Sequence, residues 1–162
     1  MEGPLTGAGT VITAPFHGSG GGHRTVAGMS DSMIDDLVYD GFDRTIGLVL
    51  TSVTADEVTA TLEVTPRLLQ PYGLLHGGVL CSVVETLGSV GGAMWFGERG
   101  NVVGVNNSTH FLRAVREGSL SAVARPVHRG GSQQLWRIEI TDEAGQLVAT
   151  GDLRVANLKK RD

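Results

Sequence analysis

Residues 76–96 read HGGVLCSVVETLGSVGGAMWF, and the fold prediction depends on this segment. It is too long for a typical β-strand and contains no proline. Its apolar residues recur at helical spacing, at Val79, Val83, Leu87, Val90 and Met94. The sequence therefore predicts one long helix from His76 to Phe96.

Small residues are unusually frequent in this predicted helix. Each glycine in a helix interior costs up to about 1 kcal/mol relative to alanine, so an isolated helix of this composition would be weak. Small residues are tolerated where other backbone packs closely, and we therefore expect a sheet to enclose the helix. The small residues are Gly77, Gly78, Ser82, Gly88, Ser89, Gly91 and Gly92.

Strand-forming segments flank the helix on both sides. In the second of them Val58, Ala60 and Leu62 alternate with polar residues, which is the period of a β-strand. Glycine-containing or short polar turns separate the segments. The predicted strands are Thr45–Val53, Glu57–Thr65, Val102–Leu112, Ser119–His128, Gln133–Thr141 and Gln146–Ala156. This order predicts an α+β fold, in which a curved antiparallel sheet wraps around one long central helix.

The chain has 162 residues, which suits one ordinary domain. Residues Met1–Gly28 are rich in glycine and lack periodicity, so we interpret them as a disordered tail, with the domain spanning 29–162. Met29 could then be the natural start. Ser30 or Ser32 can cap a short helix through about Tyr39.

Charge and cysteine content narrow the class of protein. A formal net charge of -4 gives no global attraction for nucleic acid or anionic membranes. A single cysteine, Cys81, and no apparent secretory signal favour a cytoplasmic location. The apolar stretch Leu68–Gly97 contains Pro71 and Glu85 and is a poor membrane span. We expect no metal, because the five histidines show no tight ligand spacing and Cys81 is the single cysteine. We also expect no cofactor.

Glu85 is the only formally charged residue between Leu68 and Gly97. Its helical neighbours are apolar, and a buried carboxylate is costly unless it is paired or protonated. We therefore interpret Glu85 as a catalytic candidate. The alternative is a glutamate on the solvent side of an amphipathic helix.

The second candidate is the helix start at His76-Gly77-Gly78. Its glycines leave backbone N–H groups approachable, and a helix N-terminus can stabilise an anion or oxyanion. A tight turn capped by histidine is the alternative. Gln70, in the preceding loop, could orient a carbonyl or a water, or could be an ordinary surface residue.

The spacing of these candidates constrains the assembly. Nine residues separate His76 from Glu85, which is about 13–14 Å along one helix. One chain could not bring both to one scissile bond, whereas two antiparallel helices could. The sequence therefore suggests a two-fold dimer with composite sites.

The segment Gln70–Gly78, followed by Glu85, resembles the PaaI-like branch of hotdog-fold thioesterases. The segments GVNNSTHF at 104–111, HRG at 128–130 leading into LWRI at 135–138, and GQLVA at 145–149 are also similar to that family. The resemblance covers about Asp40–Ala156. It implies the hotdog fold and hydrolysis of acyl-CoA at the interfaces of a homodimer or a dimer of dimers.

The resemblance also implies roles for individual residues. Glu85 matches the catalytic carboxylate, Gly77 the oxyanion donor, His76 the loop histidine and Gln70 the amide that positions thioester or water. Ser89 matches a polar position near the site in some members. We further expect Gly78 to contact the substrate.

Coenzyme A would bring phosphates, which arginine binds well. The candidates are Arg113, Arg116, Arg125, Arg129 and Arg137. Arg129, in a glycine-rich turn, is the preferred one, although each could equally be a surface charge. No nucleic acid or membrane partner is expected.

Three questions stay open at this point. Glu85 could act as a general base or as a nucleophile that forms an anhydride. The protein could instead be a non-catalytic acyl-CoA binder or sensor of the same fold, or a hydratase on a related fold.

Overall fold

The computed structural model describes residues 41–160. The predicted tail at 1–28 and the predicted helix ending near Tyr39 lie outside the described residues. The elements in chain order are helix α1 (Phe42–Ile46), strands β1 (Leu48–Val53) and β2 (Val58–Glu63), helix α2 (Gly77–Phe96), and strands β3 (Gly100–Phe111), β4 (Ser119–Arg129), β5 (Gln133–Thr141) and β6 (Leu147–Lys159). Two 3-10 turns, Pro66–Leu68 and Gly97–Arg99, flank α2.

Within residues 41–160 the strands form one six-stranded sheet in the order β1-β2-β4-β5-β6-β3. All neighbouring strands pair antiparallel. Helix α2 packs against all six of these strands, so the core lies between the helix and the inner face of the sheet. The predicted α+β architecture, with one long helix enclosed by a curved sheet, is confirmed.

The glycines of α2 allow the sheet to approach the helix closely. A Cβ built on Gly88 would lie 2.6 Å from Cδ2 of Leu153, and one on Gly91 would lie 2.6 Å from Cζ3 of Trp136. Leu153 and Trp136 are both fully buried. The small residues therefore serve the packing role that the sequence predicted for them.

By length and composition alone, the segment Gly77–Arg99 could cross a membrane. In this fold it is the helix that the sheet encloses, and Val83, Val84 and Leu87 are buried beneath the strands. The burial of these side chains accounts for the apolar character of the segment.

The first strand begins later than the sequence predicted. Thr45 and Ile46 belong to helix α1, and the predicted strand start at Thr45 is wrong. Gly47 ends α1 in the left-handed conformation with φ of 78°, and its N–H donates to the carbonyl of Arg44. The hydroxyl of Thr86 donates to Oδ1 of Asp43 over 2.6 Å and links α1 to α2.

Among the strands of residues 41–160, β3 pairs with β6 alone and so lies at one edge of the sheet. A one-residue bulge interrupts this pairing at Val105, between the pairs Gly104–Val155 and Asn106–Arg154. In a regular strand, residues 104 and 107 would face opposite sides of the sheet. The bulge instead turns both toward α2, because the residues paired with 104, 107 and 109 are the buried Val155, Leu153 and Gly151.

Candidate active site

Glu85 lies in the middle of α2 and is half-buried against strand β3. The side-chain NH2 group of Asn107 donates to Oε2 of Glu85 over 3.1 Å and to the carbonyl of Cys81 over 3.0 Å. The hydroxyl of Thr109 donates to Oδ1 of Asn107 over 2.7 Å. The carboxylate is therefore held by a specific partner rather than standing on an open polar face.

The second oxygen of the carboxylate lies against the backbone of β3. A Cβ built on Gly104 would overlap Oε1 of Glu85. Glycine at this position gives the carboxylate the space that it occupies, since any larger residue would displace it. Glu85 is thus held by a hydrogen bond on one oxygen and by close packing on the other.

His76 caps the start of α2. Its Nδ1 accepts from the N–H of Gly78 over 2.9 Å, and its backbone N–H donates to the carbonyl of Leu68 over 2.9 Å. Because Nδ1 accepts, the ring proton of the neutral imidazole is on Nε2. The exposed side chain can therefore offer Nε2–H to a ligand.

Gly77 is the first residue of α2. Among residues 41–160 no acceptor takes a hydrogen bond from its N–H. The ring of Phe111 lies directly over it, and a Cβ built on Gly77 would be 2.9 Å from Cζ of that ring. Phe111 is exposed and does not belong to the buried core.

Gln70 lies in the loop before α2. Its Oε1 accepts from the N–H of Tyr72 over 2.6 Å, and its backbone carbonyl accepts from Gly73. Arg116 holds the same loop by donating to the carbonyls of Tyr72 and Gly73. The oxygen of the Gln70 amide is thus engaged, and its NH2 group is the part that can donate to a ligand.

A cavity of about 300 Å³ opens beside this helix start and brings Gln70 and Gly77 together. Its walls are mostly apolar, and the lining residues are Gln70, Leu74, Leu75, Gly77, Leu80, Phe111, Leu112, Arg113, Ala114 and Val115. Glu85 does not line the cavity, because it lies more than two turns further along α2. A single chain therefore carries the two halves of the predicted site at separate places.

The other predicted site residues lie at three different positions. Gly78 uses its N–H in the His76 cap, and half-buried Ser89 lies one turn beyond Glu85. Arg129 donates from Nη1 to Ala55 and Asp56 in the β1–β2 turn. The substrate contacts predicted for all three stay predictions.

The remaining arginines differ in how their side chains are engaged. Arg125 pairs with Glu57, and Arg137 forms two hydrogen bonds with Asp152. Those bonds and the charge of Asp152 raise the pKa of Arg137 above its usual value. The Arg113 side chain, at the cavity wall, has no hydrogen bond or ion pair within the described part of the chain.

Asn107, Thr109 and Gly104 are not among the site residues that the sequence predicts. The sequence does contain a signal for the first two. Asn107 and Thr109 are polar residues two positions apart in a predicted strand, and that strand is expected to pack on the helix that carries Glu85. Gly104 faces the same side as Asn107 and Thr109 only because of the bulge at Val105, which the sequence pattern alone did not reveal. Across 41–160 no group of three or more His, Cys, Asp or Glu side chains could hold a metal ion.

A six-stranded antiparallel sheet around one long central helix is the architecture of the hotdog fold. Residues 72–149 match the thioesterase superfamily. A protein of Mycobacterium tuberculosis is 44% identical over 123 residues, which cover 74% of this chain and 88% of the relative. Its solved structure aligns with a TM-score of 0.73 over 75% of this chain and 98% of that one.

Two further relatives have names that state an activity. The 1,4-dihydroxy-2-naphthoyl-CoA hydrolase of Escherichia coli is 40% identical over 103 residues, covering 64% of this chain and 76% of that enzyme. The proofreading thioesterase EntH of Cronobacter sakazakii is 35% identical over 136 residues, covering 84% and 96%. The chain belongs to the hotdog-fold thioesterase superfamily and is a thioester hydrolase, as its motifs predicted.

Proposed function

We propose that this protein hydrolyses the thioester of an acyl-CoA to a free acid and coenzyme A. The observation that carries the proposal is the environment of Glu85, a half-buried carboxylate oriented by Asn107 in the middle of the core helix. The relative from Escherichia coli, named as a hydrolase of an aryl-CoA, supports a coenzyme A thioester as the substrate class.

The free N–H of Gly77 is the proposed donor to the carbonyl oxygen of the thioester. As water or a nucleophile attacks the carbonyl carbon, that oxygen gains negative charge, which a helix N-terminus stabilises. The NH2 group of Gln70 and Nε2–H of His76 are further donors at the same helix start. The apolar wall of the cavity suits the acyl or aryl group.

Glu85 is the proposed base or nucleophile. As a base it takes a proton from water while the water oxygen bonds to the carbonyl carbon, and the C–S bond then breaks to release the thiol of coenzyme A. As a nucleophile its oxygen bonds to the carbonyl carbon, and the C–S bond breaks to release coenzyme A as a thiolate that takes a proton from solvent. Water then cleaves the resulting anhydride to the free acid and regenerates Glu85. Oxygen-18 label that enters Glu85 during single-turnover hydrolysis in labelled water would support the anhydride route, because the general-base route places no label there.

The separation of Glu85 from Gly77 along α2 supports a composite site in a homodimer. Within the described part of the chain, no strand pairs with the outer side of the 12-residue strand β3, and Val103 and Val105 on that strand are exposed. Such an edge is suited to pairing with a second copy. Two antiparallel copies of α2 would then bring Glu85 of one protomer to the helix start of its partner.

The test is hydrolysis by the purified full chain across short, medium, long and aryl acyl-CoAs, measured as thiol release. We expect turnover of at least one class, and a loss of about 100-fold or more in kcat for Glu85→Ala and Glu85→Gln, the range for a missing acid–base group. Near-normal turnover by Glu85→Gln would defeat the assignment of Glu85. Tight binding without hydrolysis throughout the panel would instead favour a non-catalytic acyl-CoA binder.

A further inference from the structure

A chain of hydrogen bonds runs from strand β3 to the carboxylate of α2. The hydroxyl of Thr109 donates to Oδ1 of Asn107, and the NH2 group of Asn107 donates to Oε2 of Glu85. The same NH2 group also donates to the carbonyl of Cys81, one turn before Glu85. The amide of Asn107 is therefore held at both ends.

The chemistry of these groups makes one orientation of the Asn107 amide strongly preferred. Its NH2 group faces two acceptors, which are a carboxylate oxygen and a backbone carbonyl. Rotating the amide by half a turn would place Oδ1 against both of them, with no proton between the oxygens. The hydroxyl of Thr109 adds a donor on the other side, where Oδ1 would otherwise lack a partner in a half-buried position.

We propose that Asn107 and Thr109 are positioning residues that act through Glu85. Asn107 holds Oε2 and so fixes the orientation of the Glu85 carboxylate, while Thr109 holds the amide of Asn107. This inference rests on the proposed function, because it requires Glu85 to be the catalytic carboxylate.

The location of the pair supports this role. Asn107 and Thr109 occupy alternate positions of β3 and pair with Leu153 and Gly151 of β6, both of which are buried. Polar side chains on a helix-facing strand surface are costly unless they form hydrogen bonds. Here the hydrogen bonds of Asn107 and Thr109 lead to Glu85, the one carboxylate of α2. The position of that carboxylate matters, because a misplacement of a reacting group by about 1 Å can lower the rate about 100-fold.

The sharpest test compares Thr109→Val with Thr109→Ser. Valine keeps the branched shape and loses the hydroxyl, whereas serine keeps the hydroxyl and loses the methyl group. We expect Thr109→Val to lower kcat by about three- to tenfold, the range for one lost hydrogen bond, and Thr109→Ser to stay closer to the wild type. A purely structural role of Thr109 in packing predicts the reverse order, which would overturn the proposal.

The matching test for Asn107 is epistasis with Glu85. We expect Asn107→Ala to lower kcat by about 30-fold or more with KM within about twofold, since it removes an interaction that acts on the reacting group. In the Glu85→Ala background the same change should have no further effect on the residual rate. An equal loss in both backgrounds would show that Asn107 does not act through Glu85.

The outcomes separate this inference from the proposed function. If Glu85→Gln turns over normally, the role of Glu85 fails and the inference fails with it. If Glu85→Gln is inactive while Asn107→Ala and Thr109→Val keep wild-type kcat, only the positioning role fails. Circular dichroism of each variant identifies any loss of fold, and the Thr109 pair decides the question if Asn107→Ala does not fold.

Discussion

Oε1 of Glu85 occupies the space beside Gly104 that a Cβ at position 104 would fill. The contact joins the middle of helix α2 to the bulged part of strand β3. Because the carboxylate is the far end of a flexible side chain, it would yield to a larger residue more readily than the backbone of β3 would. Gly104 thus controls where the carboxylate stands without contributing any chemical group.

Gly104→Ala should therefore give a folded protein with a misplaced carboxylate. We expect kcat to fall by about 100-fold, the scale for a displacement of about 1 Å, with thermal unfolding close to that of the wild type. The measurement is steady-state hydrolysis of the best acyl-CoA together with a thermal melt. Wild-type kcat in this variant would show that the carboxylate need not occupy its observed position.

Gly131→Ala is the matched control for this substitution. Nothing lies within 4 Å of a Cβ at Gly131, and its φ is not in the left-handed region, so the added methyl group meets open space. Both turnover and melting temperature should stay at wild-type values. A loss of activity here would mean that β-carbon addition to this protein is harmful for a reason unrelated to Glu85.

The sequence could predict that a sheet encloses α2, because the loss of helix stability caused by glycine depends only on the local sequence. The loss of helix stability at Gly88 and Gly91 indicated close packing before any partner was known. The partners of Glu85 could not be found in the same way, because strand alternation places 104 and 107 on opposite faces. Only the bulge at Val105, which is set by pairing with β6, brings both toward the helix.

Gly77 offers a way to remove a single backbone donor. It is the first helical residue, where proline is well tolerated, and the preceding His76 has φ of -66° and ψ of 129°, a conformation that suits a residue before proline. Gly77→Pro removes the N–H, whereas Gly77→Ala keeps it; both add a Cβ near Phe111. We expect kcat of Gly77→Pro to be lower than kcat of Gly77→Ala by about 100-fold or more, which is the typical effect of removing one oxyanion donor.

The same variant tests whether the site is shared between protomers. Glu85→Ala and Gly77→Pro chains should each be nearly inactive, but a composite site predicts that mixed dimers contain one intact site. Random pairing makes about half of the dimers mixed, so co-refolded chains should recover about a quarter of wild-type activity. No recovery, despite mixed dimers shown by differently tagged chains, would place each site within one chain.

Arg113 is the candidate arginine whose side chain is free to contact an anionic group of the proposed acyl-CoA substrate. It lines the cavity next to Gln70 and Gly77, and its side chain has no partner among residues 41–160. Arg113→Ala should raise KM about tenfold with little change in kcat, the size of a lost hydrogen bond to a charged group. The increase in KM should shrink at high salt.

Arg125→Ala is the control for Arg113, because it removes the same charge from a side chain that pairs with Glu57 in the sheet. Its KM should stay within about twofold of the wild type, since the variant loses only an exposed ion pair with Glu57. Equal rises in KM for the two variants would point to net charge rather than a specific contact.

The substitution Gly91→Ala tests which of two opposing effects on the free energy of unfolding is larger, the gain in helix propensity or the cost of overpacking the core. In most helix interiors Gly→Ala stabilises by about 0.5–1 kcal/mol. At Gly91 the new Cβ would lie 2.6 Å from the fully buried ring of Trp136, and overpacking a core costs about 1–3 kcal/mol. The second effect is the larger, so Gly91→Ala should lower the free energy of unfolding.

Urea denaturation at one fixed protein concentration measures this change, since association can shift apparent stability. Gly131→Ala, with open space around its Cβ, should stay within about 0.5 kcal/mol of the wild type. If Gly91→Ala is more stable than the wild type, Trp136 can move and close packing is not what requires glycine there. A loss of stability means instead that α2 needs glycine at position 91, despite its low helix propensity, because the sheet packs directly onto the helix backbone there.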